Sequence, residues 1–260
     1  MTTIVIVMGD GGIGRAVAEA LRQRGDEVRL LGRPTTGRHE PSAFTDAVLA
    51  IEASRGDAVR SNVAAALDAG VRNVVIATTA WDADRVAVDA ALRDASAAAV
   101  ASANFSIGVA LFGRLVDTAV ELFGGLEAFD PYIVEWHRRS KRDRPSGTAA
   151  MLARRILDRH PRKTRVASPL LDQAPAPDEL EVVAVRAGDS PGMHLVGFDA
   201  LGETVELRLT ARDRSAYAAG ILAAADWLLR TTRPAGIHPF DPVVDDLLRS
   251  AFAPTAVVAA

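Results

Sequence analysis

The chain has 260 residues, of which 49% are apolar and 24% charged, enough for one large or two modest globular domains. Its net charge of -3 argues against a general nucleic-acid-binding protein, and the absence of cysteine excludes disulfides, thiol nucleophiles and thiolate metal sites. The N-terminus lacks the basic segment of a signal peptide, and polar residues interrupt the longest apolar region, which predicts a cytoplasmic protein without a membrane partner.

The first third of the chain alternates strand-like and helix-like segments. The predicted strands are TIVIVMG, EVRLLG, AVLAIEAS, NVVIATT and AAVASAN, and the predicted helices are RAVAEALRQRG, VRSNVAAALDAG and DADRVAVDAALRDAS. Strands that alternate with helices of this length indicate βαβ crossovers. The pattern therefore predicts a Rossmann-like parallel sheet.

The pattern changes after Asn104. A long amphipathic helix, GVALFGRLVDTAVELFG, precedes the strand YIVEWH, a basic loop and the helix GTAAMLARRILDRH. Three strands follow, ELEVVAVRAG, MHLVGFDA and TVELRLTA, with a hairpin turn between the last two, and then the helix SAYAAGILAAADWLL. A strand-rich unit therefore follows the parallel unit, and the last helix could pack on either.

A glycine loop joins the first strand to the first helix. In VMGDGGIGR, Gly9, Gly11 and Gly14 form the pattern G-x-G-x-x-G. Such glycines allow a tight turn, close approach of a pyrophosphate and close helix–strand packing, while the helix N-terminus attracts the phosphates. The loop predicts a dinucleotide site whose contacts come from Gly9, Gly11, Gly12, Ile13, Gly14 and Arg15.

The end of the second strand indicates which dinucleotide is bound. NAD sites usually have an acidic residue here for the ribose hydroxyls. This chain has LLGRP, with Arg33 and no acid, and Arg15 lies beside the glycine loop. Guanidinium groups suit a 2′-phosphate, so the sequence favours NADPH over NADH.

A basic segment, EWHRRSKRDRPSGTA, lies in the second half of the chain. Strand alternation places Glu135 and His137 on one face, and Lys141 follows four residues after the histidine. Ser146 is a predicted N-cap for a helix whose open N–H groups can bind a carboxylate. The segment thus combines a proton donor, a cation and an anion cradle, which suits a small, multiply anionic substrate.

The segment resembles the signature of the dihydrodipicolinate reductases, Glu-x-His-x-x-x-Lys-x-Asp-x-Pro-Ser-Gly-Thr-Ala. All nine specified positions match, from Glu135 to Ala149. The likeness extends along the chain through IEASRGDA, ATTAW, SANFSIGV, VRAGD, GMHLVGF and HPFDPVVDDLL.

The resemblance implies hydride transfer from a nicotinamide to a cyclic, conjugated imine dicarboxylate in lysine and diaminopimelate biosynthesis. It makes His137 the general acid and Lys141 the group that binds and polarises the substrate. Further substrate contacts are implied for Arg138, Ser146, Gly147, Thr148 and Arg214. Further cofactor contacts are implied for Ala53, Ser54, Ala77, Thr78, Thr79, Ala103, Asn104 and Phe105.

The resemblance also implies the domain organisation and the assembly. Residues 1–104 and 215–260 form the dinucleotide-binding domain, and 105–214 form an α+β mixed-sheet domain that binds substrate and builds a homotetramer. His39, His160, His194 and His238 show no metal-ligand spacing, so no metal is predicted.

Three departures from the family pattern bear on the substrate and the cofactor. Arg138 replaces a second histidine, and Ala77 and Ala80 replace glycines of the loop that faces the nicotinamide. The glycine loop is one residue tighter than usual, and the region between Arg33 and Asp46 is short. Two alternatives therefore stay open: a relative that reduces another cyclic imine or related small acid, and a non-catalytic nucleotide-sensing protein.

Overall fold

The computed structural model describes residues 3–35, 37–167 and 174–252. Within these ranges the chain forms two compact units. The first contains the described residues up to Ile107 and from Arg214 onward, and the second contains those of Gly108–Asp213. No helix in the described ranges is long and apolar enough to cross a membrane.

The elements follow one another in the chain as β1 (Ile4–Met8), α1 (Gly12–Arg24), β2 (Glu27–Leu31), β3 (Leu49–Glu52), α2 (Val59–Asp68), β4 (Asn73–Ile76), α3 (Arg85–Asp94), β5 (Ala98–Ala101), α4 (Ile107–Phe123), β6 (Asp130–His137), α5 (Gly147–Leu157), β7 (Arg165–Val166), β8 (Glu179–Arg186), β9 (Met193–Ala200), β10 (Glu203–Thr210), α6 (Ser215–Arg230), β11 (Gly236–His238) and α7 (Asp241–Phe252).

The first unit contains a six-stranded parallel sheet in the order β2-β1-β3-β4-β5-β11. Strands β3 and β5 are buried throughout, as expected for strands covered by helices on both faces. The strand order reverses beside β1, which has β2 on one side and β3 on the other. In such sheets ligands bind at this switch point, outside the carboxyl ends of the strands.

The second unit contains a mixed sheet in the order β10-β9-β6-β8-β7. Strand β6 pairs antiparallel with β9 and parallel with β8. Helices α4 and α5 cover one face of this sheet and form a core with it, whose buried members include Phe112, Val116, Leu152, Ile156, Ile133, Val196 and Phe198. The opposite face of the same unit leaves Trp136, Val183 and Val185 exposed.

The structure confirms the predicted fold class, an α/β unit with a parallel sheet and a second unit with a mixed sheet. The sequence pattern did not predict β7 and β11, because strands of two and three residues are too short to show a hydrophobic period.

Candidate active site

The glycine loop, Gly9–Gly14, is a cradle made from backbone atoms. A Cβ at Gly14 would lie 1.8 Å from the carbonyl oxygen of Gly9, and one at Gly9, where φ is +110°, would lie 2.5 Å from that of Ala53. These two glycines therefore let α1 and the strand ends approach closely. A Cβ at Gly11 would meet nothing within 4 Å, so the backbone there is open to a ligand.

A cavity of about 350 Å³ lies beside this loop in the first unit. Its lining comes from the residues that follow β1, β2 and β3, together with part of α2: Gly9, Asp10, Gly11, Gly32, Arg33, Pro34, Gly37, His39, Ala53, Ser54, Arg55, Asp57, Ala58, Ser61 and Asn62. The N-terminus of α1 begins at Gly12 in the same place and presents open N–H groups to an anion. The cradle and cavity fit the phosphates and adenosine of a dinucleotide.

A buried carboxylate, Glu52, lies at the end of β3, next to the cavity residues Ala53 and Ser54, and is fully excluded from solvent. It accepts hydrogen bonds from the hydroxyls of Ser54 and Thr78, and from the Asn62 amide at 2.9 Å. Glu52 thus connects the cavity wall to the loop Ala77–Ala80. We call this segment the nicotinamide loop, after the contact that the family resemblance predicts for it. The sequence reasoning missed this role, although an acid at the end of an apolar strand is a signal that could have indicated it.

The nicotinamide loop follows β4 in the first unit. Ala77 and Thr78 are buried, whereas Thr79 is exposed. Ala80 has φ of +59°, in the left-handed region that favours glycine. A Cβ on Gly56 would lie 2.1 Å from the carbonyl oxygen of Ala80, so the loop also needs a glycine opposite it.

The residues after β5 occupy different environments within the first unit. Ala103 is exposed, and the Asn104 Oδ1 accepts a hydrogen bond of 2.8 Å from the Ser106 amide. The Phe105 ring is buried 5.0 Å from the ring of Phe240, between centroids, so that side chain is part of the core.

Three arginines predicted to contact ligands lie in the first unit. The Nε of Arg15 donates to the carbonyl oxygen of Asp10 at 2.7 Å, and Arg33 is exposed at the cavity. A Cβ on Gly12 would lie 1.3 Å from Nη1 of Arg214. The structure thus places Arg214, predicted as a substrate contact, against the glycine loop.

The second unit holds a cluster of buried polar side chains around Glu135. Its Oε1 accepts hydrogen bonds of 2.8 Å from the Ser146 amide and from Nη2 of Arg186. Its Oε2 lies 2.7 Å from Nδ1 of His137, which is the distance of an ion pair when the ring is protonated. One carboxylate therefore holds the predicted proton donor and the start of α5 together.

Strand pairing completes this cluster. His137 on β6 is paired with Arg186 on β8, and Glu135 is paired with His194 on β9. The rings of His137 and His194 are 5.1 Å apart between centroids. Nε2 of His194 lies 3.1 Å from Oγ of Ser146, which caps α5 by accepting a hydrogen bond from the Ala149 amide. We call Glu135, His137, Ser146, Arg186 and His194 the ionic cluster.

The sequence reasoning set His194 aside as a scattered histidine, and the structure brings it beside His137. The two lie on strands that pair antiparallel across a long stretch of chain, and this pairing is not readable from residue spacing. Within the described residues, Glu135, His137 and His194 also bring ligand atoms within 4.8 Å of one another. We assign no metal here, because the guanidinium of Arg186, 2.8 Å from Oε1 of Glu135, already places a positive charge beside these groups.

Burial and charge shift the pKa values of the cluster. Burial alone raises the pKa of Glu135, but hydrogen bonds from Arg186 and Ser146 hold it below its usual value. Burial lowers the pKa of His137, and Glu135 partly offsets this effect. Burial, with the neighbouring His137, lowers the pKa of His194 to about 4. Near neutral pH the cluster therefore has an ionised Glu135 and a neutral His194.

The remaining predicted substrate residues of the second unit lie in the basic segment and at the start of α5. Lys141 lies 2.9 Å from Asp143, between Nζ and Oδ1, and Arg138 is exposed at the end of β6. A Cβ on Gly147 would meet nothing within 4 Å, so the first turn of α5 is open. A Cβ on Gly192 would lie 2.9 Å from Nε2 of His137, so this glycine leaves room for that nitrogen.

Comparison with known proteins identifies the family to which this chain is similar. Residues 108–243 match the family model described as dihydrodipicolinate reductase, C-terminus. A 4-hydroxy-tetrahydrodipicolinate reductase of Archaeoglobus fulgidus is 33% identical over 203 residues, which cover 77% of each chain. One of Christiangramia forsetii is 28% identical over 246 residues, 95% of this chain and 99% of the relative.

A solved structure has the same fold. It is a dipicolinate-bound dihydrodipicolinate reductase from Paenisporosarcina sp. TG-14, with a TM-score of 0.70 and 18% identity. The match covers 92% of this chain and 98% of that protein.

Proposed function

This chain belongs to the dihydrodipicolinate reductase family, and from that premise we propose that it reduces 4-hydroxy-tetrahydrodipicolinate to tetrahydrodipicolinate in lysine and diaminopimelate biosynthesis. The protein is an oxidoreductase. The observation that carries the substrate assignment is the buried carboxylate of Glu135, which contacts His137 and the Ser146 amide at the start of α5.

The second unit supplies the groups that bind an anionic substrate. The open N–H groups at the start of α5, with Gly147 and Thr148, suit one carboxylate of the substrate. Lys141 and Arg138 supply positive charge near His137, and the guanidinium of Arg138 can bind a carboxylate through two hydrogen bonds. Such fixed charges stabilise the negative character that an imine gains when hydride adds to it.

His137 delivers the proton in this proposal. Nδ1 faces Oε2 of Glu135, so the ring is held with Nε2 toward the space that Gly192 leaves. The negative charge of a bound dicarboxylate raises the pKa of His137 and offsets the effect of burial. The protonated ring is the active acid, so we expect turnover to fall as the pH rises through this pKa.

The first unit would hold the cofactor, which supplies the hydride when it is bound. The glycine loop and the N-terminus of α1 suit the pyrophosphate, and the cavity suits the adenosine half. We propose NADPH as the preferred cofactor, because Arg33 stands at the end of β2 where a 2′-phosphate would lie. We also propose a cytoplasmic location, where reduced nicotinamide cofactors are supplied.

The test is oxidation of NADPH, and of NADH in parallel, with enzymatically generated 4-hydroxy-tetrahydrodipicolinate. Rapid turnover that disappears without the substrate is the expected result. If both cofactors bind but neither is oxidised, the substrate assignment is wrong, and a panel of other cyclic imines would identify the true one. If neither cofactor binds, the cofactor assignment is wrong as well.

We further propose that copies of this chain assemble through the uncovered face of the second sheet, in a homotetramer. Trp136 and Val185 are paired across β6 and β8 on that face, and they are 40% and 38% exposed. Val183 beside them is 42% exposed. Apolar side chains grouped in this way are typical of an interface. Sedimentation should give the mass of four chains, and Val183→Lys with Val185→Lys should reduce it.

A further inference from the structure

The end of β2 lacks the acid that usually binds the adenosine ribose, but the structure supplies a carboxylate there from another element. A Cβ built on Gly32, the residue after β2, would lie 3.5 Å from Oδ2 of Asp10. Asp10 stands between Gly9 and Gly11 in the glycine loop, and it lines the same cavity as Gly32 and Arg33. The carboxylate of Asp10 therefore lies at the end of β2, where dinucleotide-binding proteins usually have an acidic residue, although Asp10 itself belongs to the glycine loop.

The surroundings of Asp10 leave its carboxylate available to a ligand. Its backbone is held in place, because Nε of Arg15 donates to its carbonyl oxygen at 2.7 Å. The cavity has a second carboxylate, Asp57, which is paired with the guanidinium of Arg55. In the described part of the chain, the Asp10 carboxylate has no such ionic partner.

We infer that Asp10 is a specificity-determining residue, which accepts hydrogen bonds from the adenosine ribose hydroxyls of the cofactor and disfavours a 2′-phosphate. This inference rests on the proposed nicotinamide cofactor and deepens it. Arg33 and Asp10 act in opposite directions at one end of the cavity: the guanidinium attracts the phosphate of NADPH, and the carboxylate binds the free diol of NADH. Asp10 thus keeps NADH in use and limits the preference for NADPH.

The expected size of the effect follows from the charges. Asp10 and Arg33 are both exposed, so water screens their interaction with a ligand phosphate. Removing one unit charge at a distance of a few ångströms in such surroundings changes an affinity by about tenfold. The effect should shrink as the salt concentration rises, because it is electrostatic.

The test is calorimetric titration of the full chain with NADPH and with NADH, without substrate. Asp10→Asn keeps the size of the side chain and removes its charge, so we expect the affinity for NADPH relative to NADH to rise about tenfold. Arg33→Gln should lower the same ratio by a similar factor. Glu19→Gln, which removes a charge from the exposed surface of α1, is the matched control and should leave the ratio unchanged.

The outcomes separate this inference from the proposed function. If both cofactors bind and Asp10→Asn leaves their ratio as it is in the unmodified chain, Asp10 does not set the specificity, whatever the substrate proves to be. If the affinity for NADPH relative to NADH falls in Asp10→Asn, the carboxylate favours NADPH and the inference is wrong. Failure of both cofactors to bind the unmodified chain would overturn the proposed cofactor and this inference together.

Discussion

The cofactor cradle of the first unit is made from backbone, whereas the ionic cluster of the second unit is made from buried side chains. In the cradle the glycines leave the backbone open where the pyrophosphate would lie, and Gly11 has open space around it. In the cluster every position is filled, and the carboxylate of Glu135 faces three partners at once. A backbone site tolerates changes in its neighbours, but a cluster of mutually dependent charges does not. The two sites should therefore respond differently to substitution.

The largest effect should come from His137→Ala. We expect turnover to fall by roughly two to four orders of magnitude, because the proton donor is lost while the cofactor cradle is untouched. Steady-state kinetics with a parallel titration of cofactor affinity would measure both sites. Arg139→Ala, an exposed basic neighbour in the same segment, is the control and should retain most of the activity. Near-normal turnover in His137→Ala would remove this residue from the mechanism.

Glu135→Gln tests whether the cluster acts as a unit. The buried Arg186 would lose its counter-charge, which costs about 3–5 kcal/mol of the free energy of unfolding. Because Glu135 raises the pKa of His137, its loss should also move the fall of kcat/KM to lower pH.

A double variant separates the two effects of this substitution. Glu135→Gln with Arg186→Met removes both charges, so it should recover most of the stability. Because Arg186 lowers the pKa of His137, its removal should also return the pH profile part of the way toward that of the unmodified protein. If the single variant Glu135→Gln instead has the pH profile of the unmodified protein, Glu135 has only a structural role.

His194 should make the stability of the cluster depend on pH. The folded protein keeps this histidine neutral down to about pH 4, whereas the unfolded chain takes up a proton near the ordinary histidine pKa of 6.5. The unfolded state therefore binds more protons between these values, and the free energy of unfolding falls as the pH drops through this window, by about 3 kcal/mol from this residue. Chemical denaturation across this range would measure it.

The matched variant is His194→Gln, which can still hydrogen bond to Ser146 and does not titrate. Its stability should fall less steeply between pH 6.5 and 4. Part of the pH dependence of stability should remain in this variant, because burial also lowers the pKa values of His39 and His160. An unchanged slope in His194→Gln would contradict the assignment of a neutral, buried His194.

The sequence predicted the two units unequally well, for physical reasons. The parallel sheet and the glycine loop follow from local patterns, since strand and helix periods and close-packed glycines are local properties. The partners of His137 follow from strand pairing, which joins Glu135, Arg186 and His194 from three strands. The side-chain position of Asp10 over the end of β2 depends on the folded loop, so a search for an acid at the usual sequence position does not find it.

Two alanine substitutions can separate the structural role of the glycine loop from its role in cofactor binding. Gly14→Ala would force a Cβ against the Gly9 carbonyl, so we expect a loss of about 1–3 kcal/mol of stability. Gly11 has φ of −74° and ψ of −173°, which any residue adopts, so Gly11→Ala should leave the melting temperature nearly unchanged. Its methyl group would instead lie where the pyrophosphate approaches, and cofactor affinity should fall about tenfold. If the two variants lower the melting temperature equally, these two glycines do not have separate roles.

The smallest effect concerns Ala80, where the chain departs from glycine. At φ of +59° a Cβ destabilises the folded chain by roughly 1–2 kcal/mol. Glycine removes this strain but also increases the conformational freedom of the unfolded chain, which offsets part of the gain. We therefore expect Ala80→Gly to stabilise the first unit by up to about 1 kcal/mol. Ala69→Gly, at the end of α2 with φ of −80°, should instead destabilise it, because no strain is relieved there. Thermal unfolding of the two variants measures the difference.

If Ala80→Gly raises stability but lowers turnover, the strained alanine holds the nicotinamide loop in its active shape, and the backbone site then depends on a side chain after all.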